Sequence, residues 1–284
     1  MKLFFRTYVI SISCLALMSC QDVIDVAVPE NNPRLVLDAI IRVDTTLAST
    51  EIRVIAKETR GFFEELVPAS LENITFLNVD SPGGTGLLGE IEAGSGIYVT
   101  SVSTEELIRD EFLLQVRFEG ELYLAQTKFV PTVPIDSLQQ GDNSVFDDND
   151  TELIVTFTDD EDRDDFYIMD FGQGLYITLT DEFNQGQTVE FSYFYDDPIP
   201  PGEEIQISIL GADERFYSYM TLLLDQSEEE FGIFETPAVT VRGNLINATD
   251  INNIDVFNNV NDSDNFALGY FAIVQEFTKT ITIE

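Results

Sequence analysis

Histidine and tryptophan are both absent from this 284-residue chain, cysteine occurs twice, and bases are scarce, 14 Lys and Arg against 52 Asp and Glu. Each shortage excludes something. Without His the chain lacks the commonest general base and transition-metal ligand, and no Ser-His-Asp or Cys-His triad can be built. Without Trp, stacking on a sugar ring falls to the 10 Tyr and 22 Phe. A net charge of −38 argues against nucleic acid as a partner, because phosphates need a basic surface. The acidity is read as solvation in a salty habitat, where screening weakens self-repulsion. No apolar run is long enough to span a bilayer stably; the stretch from Tyr8 to Leu17 is too short.

That stretch has another reading. Lys2 and Arg6 precede it, and Leu17-Met18-Ser19-Cys20 closes it. An aliphatic residue three before a cysteine, with a small residue at the cut, is the lipobox of a bacterial lipoprotein. Residues 1–19 therefore read as a signal peptide and Cys20 as the acylated N-terminus. Loss of Lys2 and Arg6 with the signal takes the net charge from −38 to −40. An anion of that size is repelled by anionic lipid, so the acyl chains on Cys20 must do the anchoring. Cys14 leaves with the signal too, which excludes a disulfide within the mature chain.

With 44% hydrophobic residues the chain can bury a core. A tether at 20–33 precedes strand-like runs. Leu35, Leu37, Ala39, Ile41 and Val43 alternate with more polar neighbours, and Ile52, Val54 and Ala56 repeat the pattern. Further strands are expected at Asn73–Val79, Gly96–Thr100, Phe112–Phe118 and Leu122–Val130. They are separated by turn signals at Ser81-Pro82-Gly83-Gly84, Gly94-Ser95-Gly96 and Glu119-Gly120-Glu121. Roughly seven short strands in about a hundred residues predict an immunoglobulin-like β-sandwich over 34–135. A connector at 136–150 then leads to a second β domain over 151–284. Its strands are expected at Glu152–Phe157, Asp165–Phe171, Leu175–Thr180, Thr188–Phe194 and Glu204–Leu210, with closing strands at Asn265–Gln275 and Thr278–Ile283. It also holds one helix near 213–226. Asp213 suits its cap, and Phe216, Tyr219, Met220 and Leu223 fall at helical spacing as a core stripe.

The run Asp159-Asp160-Glu161-Asp162-Arg163-Asp164-Asp165 carries the one metal-like pattern. Asp160, Asp162 and Asp164 alternate, and hard oxygen ligands in a loop suit Ca²⁺. Arg163 interrupts the cluster, no Gly stands at the sixth position, and Phe171 occupies the place of the bidentate Glu of an EF-hand. A solvated turn is the simpler reading, with a Ca²⁺ site, shared in sequence with Asp147-Asp148-Asn149-Asp150, as the alternative. Gly83-Gly84-Thr85-Gly86 lacks the Lys and helix of a phosphate-binding loop and reads as a hairpin loop. No pair of carboxylates is singled out for glycoside hydrolysis.

Several short segments recur in an order that points to a family. They are Cys20-Gln21-Asp22, Pro33-Arg34-Leu35-Val36-Leu37-Asp38-Ala39, Gly96-Ile97-Tyr98, Gly120-Glu121-Leu122-Tyr123-Leu124-Ala125 with Thr127, and Val133-Pro134-Ile135-Asp136-Ser137-Leu138. The C-terminal ones are Arg215-Phe216-Tyr217-Ser218-Tyr219, Pro237, Arg242-Gly243-Asn244-Leu245 with Asn247, and Leu268-Gly269-Tyr270-Phe271. In these the chain resembles the DUF4249 family of Bacteroidota outer-membrane lipoproteins. The resemblance implies a non-enzymatic accessory of a TonB-dependent outer-membrane receptor, with no catalytic residues to carry over. An adhesive or carbohydrate-binding module on the cell surface is the alternative. Asp44-Thr45-Thr46 and Asp136-Ser137-Leu138 fit the short O-glycosylation pattern of that phylum. The acidic Gln21-Asp22 start and the flexible tether favour a position facing the cell exterior.

Overall fold

The computed structural model describes residues 33–60, 65–81, 85–142, 151–227, 240–249 and 266–284. Cys20, the tether through residue 32, Gly83-Gly84 and Asp147–Asp150 lie outside the described residues. The chain is mostly β. Its first strands are β1 (Leu35–Val43), β2 (Ser49–Glu58), β3 (Val67–Pro68), β4 (Asn73–Asn78), β5 (Thr85–Leu87), β6 (Gly89–Glu90) and β7 (Ile97–Ser103). A short helix α1 (Thr104–Arg109) leads to β8 (Glu111–Phe118), β9 (Glu121–Val130) and β10 (Ile135–Gln140). Then come β11 (Thr151–Thr158), β12 (Phe166–Asp170), β13 (Tyr176–Thr180), β14 (Thr188–Tyr195) and β15 (Glu204–Ala212). Helix α2 (Glu214–Ser227), β16 (Ile246–Asn247) and β17 (Leu268–Thr282) close the chain.

The first sandwich follows from alternation. Leu35, Leu37, Ala39, Ile41 and Val43 of β1 all face inward, as do Ile52, Val54 and Ala56 of β2. From the facing sheet come Ile74 and Phe76 of β4 and Phe112, Leu114, Val116 and Phe118 of β8. Phe76 stacks on Phe112 with centroids 4.6 Å apart and meets Phe271 edge-on at 5.8 Å. Truncating such a buried ring to alanine costs about 3–5 kcal/mol. One sheet runs β17-β1-β2-β7-β6 and the other β5-β4-β8-β9, with β16 on β9. Glu119 and Gly120 take positive φ, 51° and 81°, which is the two-residue turn a tight β8–β9 hairpin requires.

The second sandwich packs the three-stranded sheet β10-β11-β14 over β13-β12-β15 and the far half of β17. Leu153, Val155, Phe157, Tyr167, Met169, Ile205, Ile207 and Ile209 fill it. β10 arises inside the segment that sequence alone reads as a connector.

β17 organises both halves. The sequence pattern suggested two closing strands, but one 15-residue strand is present. It pairs in parallel with β1 from Leu268 to Gln275 and antiparallel with β15 from Glu276 to Thr282. Gln275, where the first expected strand ends, and Glu276, in the gap before the second, sit at this change of partner, and each is used. Glu276 accepts from Arg42 at 3.1 Å, while the Gln275 side chain accepts from the Thr132 amide at 3.0 Å. Alternate residues serve different cores. Phe271 and Ile273 enter the first sandwich, Phe277 and Ile281 the second, and Tyr270, Ala272 and Val274 a third cluster on the opposite face. Burial on both faces explains the unbroken apolar run. The first core also takes Leu245 and Ala267, so segments far along the chain complete it. Arg42 ties β1 to β12 through Asp170 at 2.7 Å as well as to β17.

Helix α2 lies over that third cluster, within one residue of its expected bounds. Asp213 caps it as its composition predicts, the carboxylate accepting from the Phe216 amide at 2.7 Å. Phe216 and Met220 are buried, but Leu223 is exposed, because only the first two turns rest on the sheet. α1 is a single short turn anchored by Leu107, too short to show periodicity in sequence.

Candidate binding cleft

The acidic turn between β11 and β12 does not gather its alternating aspartates. Asp162 and Asp164 are exposed, and the Asp160 carboxylate accepts from the Asp162 amide at 3.2 Å. Its other oxygen lies 3.3 Å from Arg163 Nε, close but out of line for a hydrogen bond. Among the described residues no group of three acids is placed to hold a metal ion. The acids that do converge are the odd-numbered Asp159 and Asp165, with Asp181 from the next turn, all buried. Tyr167 donates to Asp159 and lies 3.2 Å from Asp165; the Gly186 amide donates to Asp159 at 2.6 Å and Arg163 to Asp165 at 2.9 Å. The Asp165 amide in turn donates to Asp181 at 2.5 Å. Burial raises the Asp165 carboxyl above the usual carboxylate range, against the pull of Arg163. Burial first, then Asp159, pushes the Tyr167 hydroxyl far up. Every carboxylate has a donor, so the cluster ties two turns together. The odd positions of β11 and β12 enter the second core while Ile168 faces the third cluster, and the same period carried into the turn selects Asp159 and Asp165.

A cleft of about 840 Å³ opens beside α2. One wall is the helix itself, through Arg215, Ser218, Tyr219 and Leu222, which fall at i, i+3, i+4 and i+7. This second stripe runs beside the buried Phe216 and Met220. Leu124, Ala125 and Gln126 of β9 and Tyr270 of β17 form the floor. The far wall is the segment Val241–Asn244 with Ile246.

That wall is held by backbone proximity. A Cβ on Gly243 would lie 1.7 Å from the Gly269 carbonyl oxygen, and one on Gly269, at φ +96°, 1.8 Å from that of Leu37. Only two glycines permit this approach. Asn244 then behaves like a one-residue strand, its amide donating to the Phe271 carbonyl at 2.7 Å and accepting from the Phe271 amide at 2.9 Å. Arg242 and Arg34 both stack on Phe266, at 3.6 Å and 3.9 Å from the ring centroid.

The aromatic floor is interlocked: Tyr270 sits 4.9 Å from Phe216 and 4.8 Å from Tyr219. Burial raises the Tyr270 hydroxyl well above its ordinary value; Asp213 adds to the rise and Arg215 opposes it. Tyr219 is raised by burial and by Asp38. At the rim Glu111 lies 3.5 Å from Lys128. Among the described residues Arg215 forms no ion pair. Tyr219 packs against the third cluster, as the helical stripe predicts, and also lines the cleft, which the sequence reading does not reach; the signal is the Arg215–Leu222 stripe one residue out of phase with the buried one.

The DUF4249 family, described as a domain of unknown function, matches residues 21–280. The chain belongs to this family. No curated protein matches it. In this DUF4249 chain the C-terminal segments that carry the family resemblance meet at the cleft, where Arg215, Ser218 and Tyr219 face Arg242, Gly243 and Asn244 across Tyr270. Gly243, Asn244 and Gly269 have packing duties there, whereas Arg215 and Ser218 project from an exposed helix face. Asn247, beside the wall, has its amide engaged by Glu121 at 3.0 Å, and of the glycosylation-like sites Thr46 is folded onto Asp44 at 2.6 Å. Asp136 of β10 accepts from Thr158 at 2.7 Å.

Proposed function

We propose that this chain is a lipid-anchored, surface-facing outer-membrane protein of Bacteroidota that serves a TonB-dependent receptor without catalysis, holding its ligand in the α2 cleft. The observation that carries the reading is the cleft itself. Its volume lies within the range of small-molecule sites, about 300–1,000 Å³, and its walls come from several separate segments. Binding suits this composition better than catalysis, because a chain without His has no nucleophile–base pair of the usual kinds. No helix among the described residues is long and apolar enough to cross a membrane; the lipobox ending at Cys20 is what supports anchoring by lipid. Sugar capture is less well supported: Tyr219 and Tyr270 spend their rings on each other and on Phe216.

Ser218→Trp tests the reading, since an exposed helix position then fills the cleft without touching the core. In a deletion strain the variant should reach the membrane at wild-type level yet fail to restore nutrient uptake. Uptake that is indifferent to the deletion, or fully restored by Ser218→Trp, refutes the assignment.

A further inference from the structure

The chemistry of the cleft narrows its ligand. Leu124, Ala125, Ile246 and Leu222 make much of its lining apolar, while Arg215 stands on the first turn of α2 at its edge. We infer that the cleft binds an amphipathic small molecule bearing one carboxylate, which Arg215 holds while the apolar body lies along Leu124, Ile246 and Leu222. This rests on the reading of the cleft as the binding site.

Charge supplies the argument. Acids outnumber bases 52 to 14, and Arg42, Arg53, Arg60, Arg109, Lys128 and Arg163 each have a carboxylate within 4.0 Å. Arg215 has none among the described residues, and neither have Lys57, Arg117 and Lys279, but of these four Arg215 alone lines the cleft. Arg242 presents a second guanidinium on the facing wall, fixed in plane by its stack on Phe266. An arginine fork and a carboxylate make a charge-assisted pair of the strong kind.

The same rim sets the number of charges. Glu111 also lines the cleft but already faces Lys128 at 3.5 Å, which leaves Glu214 beside Arg215 at this edge. One added carboxylate is matched by Arg215; a second negative charge faces Glu214 and the field of a −38 protein. The occupant is therefore a monocarboxylate, and phosphate esters are disfavoured. Apolar area supplies the affinity and the guanidinium supplies the selectivity.

The test uses the full chain carrying Cys20→Ala, which is unlipidated and needs no detergent. Its probes are 11-(dansylamino)undecanoic acid and the methyl ester of that acid, titrated by fluorescence at physiological salt. The acid should bind about tenfold more tightly than the ester, the scale of one charge-assisted contact. Arg215→Gln should bring the two together, Arg215→Lys should restore part of the difference, and Ser218→Trp should weaken both. If acid and ester bind the parent equally and Ser218→Trp still blocks both, the carboxylate assignment is overturned while the cleft remains a binding site. If Ser218→Trp, folded by its melting curve, binds both probes like the parent, or if the parent binds neither, the cleft reading falls with it.

Discussion

Asn244→Ala removes two hydrogen bonds that no neighbouring strand can replace. β9 reaches β17 only at Ile273 and Val274, so the Asn244 side chain completes the ladder at Phe271. The variant leaves one amide and one carbonyl of a buried strand without partners. Each orphaned group costs about 1–3 kcal/mol. The bonds at 2.7 Å and 2.9 Å are partly buried, so water recovers some of the loss. A destabilisation of about 2–3 kcal/mol follows. For a unit of this size that lowers Tm by about 5–10 °C. Calorimetry of the Cys20→Ala chain reads it directly, and Asn244→Asp is the companion. The aspartate keeps an acceptor for the Phe271 amide but sets a negative oxygen against the Phe271 carbonyl, so it should fare no better than alanine. Release of the wall also displaces Arg242, and binding of the dansyl acid should weaken in parallel. A Tm change below about 1 °C in both variants refutes the claim that this side chain fastens the wall.

Four further outcomes are expected. Cys20→Ala should move the protein from membranes to the soluble fraction, and protease added to intact cells should digest the wild type; retention on washed membranes, or survival until lysis, sinks the anchoring or the surface placement respectively. Arg109 at 2.7 Å and the Asn78 amide at 2.8 Å hold the Asp110 carboxyl down to about 2, against 3.8 for the ordinary group. Because the folded value is the lower one, this contribution is complete above about pH 4 and is lost as pH falls toward 2; Arg109→Gln should flatten that limb of a Tm–pH curve, and an unaltered limb counts against the pair. Ca²⁺ should raise Tm no more than Mg²⁺ at equal ionic strength, since Asp160 faces Arg163. A calcium-specific rise abolished by Asp162→Asn would restore the metal site.

Local patterns were enough for the elements. Period-two burial in β1, β2, β4 and β8 and the Asp213-capped α2 are written in the residues themselves, because the strand pleat and the helix turn impose those spacings on any half-buried segment. The absence of His narrowed the chemistry with equal independence of structure. The continuity of β17 was not legible. The sequence ends one strand at Gln275 and leaves Glu276 in a gap, whereas Thr132 and Arg42, more than a hundred residues away, satisfy the two side chains within one continuous strand. Parallel pairing of Val36 with Leu268 likewise has no local signature, since chain entropy says nothing of which distant strand will fill an edge. The acidic turn shows how narrow the margin is: phase decides whether an aspartate is solvated or buried, and phase is inherited from β11 and β12. The cleft lies furthest from the sequence. Arg215, Gln126, Arg242 and Tyr270 are remote along the chain, and they share one cavity only because two glycines let Val241–Asn244 lie against β17 beside the helix. Composition and periodicity determined what this chain is built from; the register of β17 and the Gly243–Gly269 contact decided where it offers a site.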